Sequence, residues 1–227
     1  MSDKFGDKVL YGMCEEKPHH YKDADAVEGK MWLIGRSYAA SPERRQGRKL
    51  NGNKNKEKTQ KTDSDFLIKI AERIADSSES MELDAKIKHM QGDKYSYNFD
   101  DDIDIFVKTI QLVELLNELV KAVSNKYNNG ERNAENNISF ASKYLHFHLR
   151  HIVYLKDTYS YDNARAKYPD VQEQSRIILQ EFGKKLKGHY EEYLKHTIRC
   201  YFVAKELKKN GEDCSPRAVD NLLMGRK

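Results

Sequence analysis

The chain predicts an all-α fold: a compact multi-helix domain with an irregular N-terminal segment and a basic loop. Three observations carry that reading. Apolar residues recur at the helical period along most of the 227 residues, no strand-like alternation of any length appears, and only four prolines interrupt the pattern. No internal repeat is visible, so a single α-helical domain over residues 26–227 is expected, with residues 1–25 as its irregular lead-in.

Taken in order, residues 1–25 read as irregular because Gly6, Gly12 and Pro18 punctuate them. Residues 26–45 read as a helix in which Trp32, Gly35 and Ala39 share a spacing, the two small residues allowing close packing. The stretch from about 44 to 62 is rich in Asn, Gly and Lys and poor in apolar residues, which makes it a loop. Asp63 or Ser64 can cap a helix running to Ala75, with Phe66, Leu67, Ile70 and Ile74 as its buried stripe. Residues 81–90 form a shorter amphipathic segment around Leu83 and Ile87, and residues 92–99 a turn whose two tyrosines, Tyr95 and Tyr97, are expected to be exposed.

Residues 100–126 give the strongest helix. Three aspartates open it, favourably against the helix dipole, and Ile103, Phe106, Ile110, Val113, Leu116, Leu119, Val120 and Val123 make a broad apolar face. Asn128-Asn129-Gly130 ends it. Residues 138–148 form the next helix, and Ile152-Val153-Tyr154-Leu155 reads as extended. Residues 171–186 and 189–209 are two further helices, and Ser215-Pro216 starts a short last one reaching Met224, with Pro at the first helical position.

Composition excludes several classes. With 38% hydrophobic and 33% charged residues the chain sits at the polar end of globular proteins, and no stretch approaches the ~20 apolar residues of a membrane span. The first residues lack the apolar run of a secretory signal, so a cytoplasmic protein is expected. Cys14, Cys200 and Cys214 are too widely spaced for a zinc or iron–sulfur pattern, which implies reduced thiols and neither metal nor other cofactor. A net charge of +4 is mild, but its distribution is not. Arg44, Arg45, Arg48, Lys49, Lys54, Lys56, Lys58 and Lys61 face the single acid Glu57, a run that attracts polyanions by releasing their counterions. A solvated loop is the bland alternative.

No glycine-rich phosphate loop, nucleophile elbow or H-E-x-x-H motif is present. No arginine has a histidine four to six residues downstream, which argues against a small helical ribonuclease toxin. His146, His148 and His151 cluster, but His146 and His148 lie two apart on a helix and so face different ways. They are read as packed histidines rather than joint ligands. The pair left is Lys143 and Asp157. Asn136, Asn137 or Ser139 could cap the helix that holds Lys143, placing its amine near amides that favour an anion, and Asp157 before Thr158 suits a helix start.

Ser142-Lys143 followed by Asp157-Thr158 resembles the signature of the helix–hairpin–helix DNA glycosylases, the endonuclease III and 8-oxoguanine glycosylase superfamily. The segments Ser139 to Phe147 and Trp32 to Ala40 also resemble bacterial proteins with a distant core of that kind. Two departures stand out. Ile138-Ser139-Phe140-Ala141 replaces the glycine-rich hairpin, and the interval from lysine to aspartate is about one helical turn short. The resemblance implies an enzyme that flips a damaged or modified base out of duplex DNA and cleaves its N-glycosidic bond. Asp157 would assist the oxocarbenium-like sugar; Lys143 would attack C1′ or hold a phosphate. Arg36, Arg44, Arg45, Arg48, Lys49, Ser139 and Ser142 would meet DNA, and Trp32, otherwise a core residue, would stack on the base. A monomer is expected, acting in host repair or in defence against modified invader DNA. The rivals are a non-catalytic basic helical protein that binds DNA or a partner, with Lys143 and Asp157 merely paired, and a nucleic-acid-directed defence or toxin protein of other chemistry.

Overall fold

The helix expected to be strongest sets the architecture. In the computed structural model, which describes residues 5–38, 56–127, 137–183, 185–186 and 188–225, ten helices form and no strand is present among the described residues. They are α1 (Phe5–Glu16), α2 (Ala24–Tyr38), α3 (Lys56–Asp76), α4 (Ser78–Met90), α5 (Phe99–Tyr127), α6 (Ile138–His148), α7 (Thr158–Lys167), α8 (Gln172–Phe182), α9 (Gly188–Lys209) and α10 (Pro216–Leu223). Helix α5 runs through the middle and packs on α3, α4, α6, α8 and α9. Phe106, Ile110, Val113, Leu116, Leu119 and Val120 of its predicted stripe are buried, each worth about 1.5–3 kcal/mol. Thr109, Leu112 and Asn117 are buried too, because helices cover α5 on more than one side. Ile103 and Val123 stay partly exposed.

The aspartates that open α5 do more than oppose its dipole. Asp102 accepts the amides of Ser96 and Tyr97, each at 2.8 Å, and the Tyr201 hydroxyl at 2.9 Å, which ties the preceding turn to α9. That turn is therefore packed, not open. Tyr95 is buried among Phe106, Tyr154 and Tyr201, and Tyr97 stacks on Tyr201 with a positive φ of 69°. The expectation of two exposed tyrosines fails because their rings are what the polar turn folds over.

The N-terminal lead-in is also corrected. Residues 5–16 form α1, which buries Leu10, Tyr11 and Cys14 and packs on α2 and α6. Gly6 and Gly12 do not break it. A Cβ at Gly6 would lie 2.9 Å from Ser37 Oγ, so that glycine lets α1 approach α2. The loop expected to reach residue 62 is overtaken by α3, which begins at Lys56, so Lys56, Lys58 and Lys61 lie on a helix, and Asp63 and Ser64 lie inside it. Arg44, Arg45, Arg48 and Lys49 fall outside the described residues, as does Asn128-Asn129-Gly130. Helix α8 stops at Phe182, where Gly183 takes the left-handed conformation with φ of 70°. Helix α10 starts as read, with the Ser215 hydroxyl accepting the Ala218 amide at 3.2 Å and Pro216 in the first turn. No helix among the described residues is long and apolar enough to cross a membrane.

Candidate functional site

Between α6 and α7 the chain passes through the core outside any helix, Ile152 in a turn bonded to the Leu149 carbonyl and residues 153–157 irregular, with Ile152, Val153, Tyr154 and Leu155 all buried. A buried segment outside the helices has no helix ladder to satisfy its backbone, so other groups must do so. Side chains of α6 and α9 supply them. His146 Nδ1 donates to the Val153 carbonyl at 2.8 Å, the Tyr193 hydroxyl to the Tyr154 carbonyl at 3.0 Å, and His196 Nε2 to the Leu155 carbonyl at 2.8 Å. The Lys156 amide donates to Ser142 Oγ at 3.1 Å. Four successive residues are thus clamped from both flanking helices.

The clamp ends on Asp157, which is the N-cap of α7. Its Oδ1 accepts the Ser160 amide at 2.9 Å, and the Ser160 hydroxyl closes a reciprocal capping box at the Asp157 amide. The side chain stays half-buried, so the carboxylate is held but not sealed. Lys143 sits on α6 one residue from Ser142, but its own environment differs. It is 4% exposed, and its Nζ donates to Ser139 Oγ at 3.3 Å. Ser142 is fully buried and also donates to the Ser139 carbonyl at 3.2 Å. Asn137 is the N-cap of α6, yet its side chain makes no capping bond. Among the described residues no ion pair joins Lys143 to Asp157.

The amine next to Asp157 is Lys156, a residue the sequence reading passed over. It is half-buried over the Tyr161 ring at 5.1 Å, and burial lowers its pKa against the opposing charge of Glu192. Tyr161 donates a hydrogen bond to Glu192, and Arg199 faces the same ring at 6.0 Å. Trp32 departs from the core expectation. It is 37% exposed on α2, donates to Glu28 at 3.2 Å and carries the Arg36 guanidinium over its ring at 5.4 Å. Helix α2 packs on α1, α3 and α6, away from α7.

The two histidines of α6 diverge as their spacing requires. His146 is enclosed, taking the Tyr11 hydroxyl at 2.8 Å on Nε2, and burial holds its pKa down at about 4. His148 turns instead toward α2 and the α1–α2 loop, 3.5 Å from the Lys30 amine and with its ring 4.7 Å from that of His20. His20 in turn is bonded to Asp84 at 2.5 Å. This second polar cluster had no signal in the sequence, since Asp84 lies 64 residues from His20. Among the described residues no group of three or more His, Cys, Asp or Glu is arranged to hold a metal ion.

No family model, no curated protein and no solved structure matches this chain.

Proposed function

We propose that this chain is a DNA glycosylase-like enzyme, which extrudes a damaged or modified base from duplex DNA and cleaves its N-glycosidic bond with Asp157 as the assisting carboxylate. The observation that supports the reading most is the clamped segment. Three carbonyls and one amide in four successive residues are held by side chains of two helices, and the element they fix delivers a half-open carboxylate at a helix start. A carboxylate beside a developing oxocarbenium ion acts through its position, and a rigid mount maintains that position. Base extrusion itself costs a few kcal/mol, drawn from phosphate contacts for which Arg36 and the basic stretch from Arg44 to Lys49 are the candidates. Lys143 is covered beside Ser139 and must be uncovered to attack C1′ or hold a phosphate, whereas Lys156 stands half-open next to Asp157.

The test uses duplexes carrying deaminated, oxidised or alkylated bases, scored for abasic sites. Asp157→Asn is the informative variant because asparagine caps a helix as well as aspartate does, so stability is kept while the charge is lost. Release of base by the parent and none by Asp157→Asn is the expected result; full activity in Asp157→Asn removes the carboxylate from the mechanism. Borohydride trapping in Lys143→Gln and Lys156→Gln then names the amine, if strand cleavage accompanies release.

A second reading has its own observation. Asp157 already serves as a cap and Lys143 is already buried, which suits a basic helical DNA- or partner-binding protein without chemistry. DNA binding with no base release across the whole panel selects it.

A further inference from the structure

A cleft of about 410 Å³ opens where three helices end together, α1 at Glu16, α4 at Met90 and α6 at His148. That volume lies within the range of small-molecule sites, roughly 300–1,000 Å³. None of the side chains that clamp residues 153–156 lines it, so it stands apart from the glycosylase reading. Each of the three helices contributes its C-terminal residues to the wall: Cys14 and Glu15, Met90 and Gln91, His148 and Leu149. The last carbonyls of a helix have no amide one turn ahead, and the helix dipole places about half a negative charge there. Three such ends around one opening favour a cation.

The side chains add to that field. Asp93, just past α4, lines the cleft, and its Oδ2 is shielded from solvent without a partner among the described residues, where a buried carboxylate oxygen is normally bonded. Lys108, whose amine feels the Asp93 charge, is already paired with Asp104 at 2.5 Å. Tyr11 and Phe147 give the wall an aromatic face, their ring centroids 4.9 Å apart. A resident cation lies over it: the Arg150 guanidinium is 5.7 Å from the Tyr11 ring centre and 3.8 Å from the Glu15 carboxylate. Its hold is loose, because the side chains of that ion pair are 52% and 70% exposed. The histidines of the wall add no competing charge. Burial holds His148 and His151 below their ordinary value, with the Arg150 and Lys94 charges adding to the effect at His151.

We propose that this cleft binds a small organic cation, an alkylguanidinium or alkylammonium, whose head group meets Asp93 and the three helix ends and whose stem lies on Tyr11 and Phe147. Arg150 is the internal stand-in for that ligand, since its own guanidinium already rests on the aromatic face beside an acid. The charge count allows the exchange. Glu15 and Asp93 face Arg150 and the flanking Lys94, so a ligand that displaces Arg150 outward sets one cation in place of another against the same two acids. The carboxyl torsion of an aspartate is soft, so a modest turn brings Asp93 Oδ2 to a donor in the cleft. The charge-assisted bond formed there satisfies the oxygen that has no partner.

The experiment is an amide NMR titration of the full chain with n-butylguanidinium and n-butylammonium chloride, added separately at constant ionic strength and neutral pH, with n-butanol as the uncharged isostere. The expected result is saturable binding of one or both cations, with shifts concentrated in residues 90–93 and 147–151 and no binding of butanol over the same range. Response to the guanidinium alone, to the ammonium alone or to both assigns the head group. Asp93→Asn, which keeps the shape and removes the charge, is expected to bind about tenfold more weakly. Arg150→Gln, which removes the resident competitor, is expected to bind about threefold or more tightly than the parent. A merely structural role for Arg150 would not improve binding. Absence of saturable binding by both cations, equal binding of butanol, shifts located elsewhere, full affinity in Asp93→Asn, or unchanged or weaker affinity in Arg150→Gln overturns the proposal.

Discussion

Lowering the pH from about 7 toward 4 will strongly destabilise this protein through two histidines that cannot easily accept a proton. His146 and His196 are completely buried, and burial holds both at about 4 against an ordinary value of 6.5. Their partners explain why the neutral ring fits. On His146 a carbonyl takes the Nδ1 proton and a hydroxyl donates to Nε2, so each nitrogen is matched to one tautomer of the neutral imidazole. The sign follows from proton counting. Between pH 6.5 and 4 the unfolded chain binds protons at these sites and the folded chain does not, so stability is complete above 6.5 and is lost as pH falls toward 4. A gap of two to three pH units, at 1.36 kcal/mol each, makes roughly 3 kcal/mol per histidine once the pH has fallen to about 4, on the order of 5–7 kcal/mol for the pair. That is comparable to the whole stability of an ordinary domain, about 5–15 kcal/mol. His20 and His148, also lowered by burial, act in the same direction.

The assay is urea unfolding followed by circular dichroism at several pH values. The two histidines alone predict a slope of about 2.7 kcal/mol per pH unit within the window. His146→Gln mimics the neutral tautomer, since its amide can donate to Val153 and accept from Tyr11 without titrating. It is expected to cost about 1–2 kcal/mol at neutral pH and to halve the two-histidine slope, so that its deficit shrinks on acidification. Stability that stays flat from pH 7 to 5, or a slope unchanged in His146→Gln, refutes the reasoning.

Two further outcomes follow from the clamped segment. Tyr193→Phe leaves the Tyr154 carbonyl buried without its donor and should destabilise by about 1–3 kcal/mol in the same urea assay. Asp157→Ala should lose about 1 kcal/mol relative to Asp157→Asn, a difference visible as a lower melting temperature for the alanine variant alone, because only the cap distinguishes them.

The helices were legible where one apolar stripe met one neighbour. Phe66, Leu67, Ile70 and Ile74 announce α3, and Ile103 to Val123 announce α5, because period and burial coincide. Helix α1 escaped because Gly6 and Gly12 look like punctuation, whereas Gly6 is a place of close helix contact. The start of α3 escaped because lysine-rich sequence has no apolar period to read, although lysine is a good helix former. Trp32, which the sequence offers either as a base-stacking residue or as a core one, has its indole on the surface under Arg36. For the candidate site, the helix start at Asp157 was visible in the local order of residues. The clamp was not, because His196 and Tyr193 lie about forty residues beyond the carbonyls they hold: 41 and 39 positions away. Hydrogen bonds of that kind leave no periodic trace.

The clustered histidines of α6, read from the sequence as packed residues, divide the molecule's two polar systems between them. Two residues apart on α6, His146 and His148 face opposite ways, one toward the segment that mounts Asp157 and the other toward Lys30 and His20. The difference lies in their partners. His146 has both nitrogens bonded in a neutral form, which is the mark of a structural strut. His148 has one nitrogen facing an ammonium and the other facing nothing, beside a ring that a carboxylate has already oriented. Helix α6 therefore belongs to both polar systems at once. A change at His146, whose two nitrogens are both bonded, is therefore expected to move stability first.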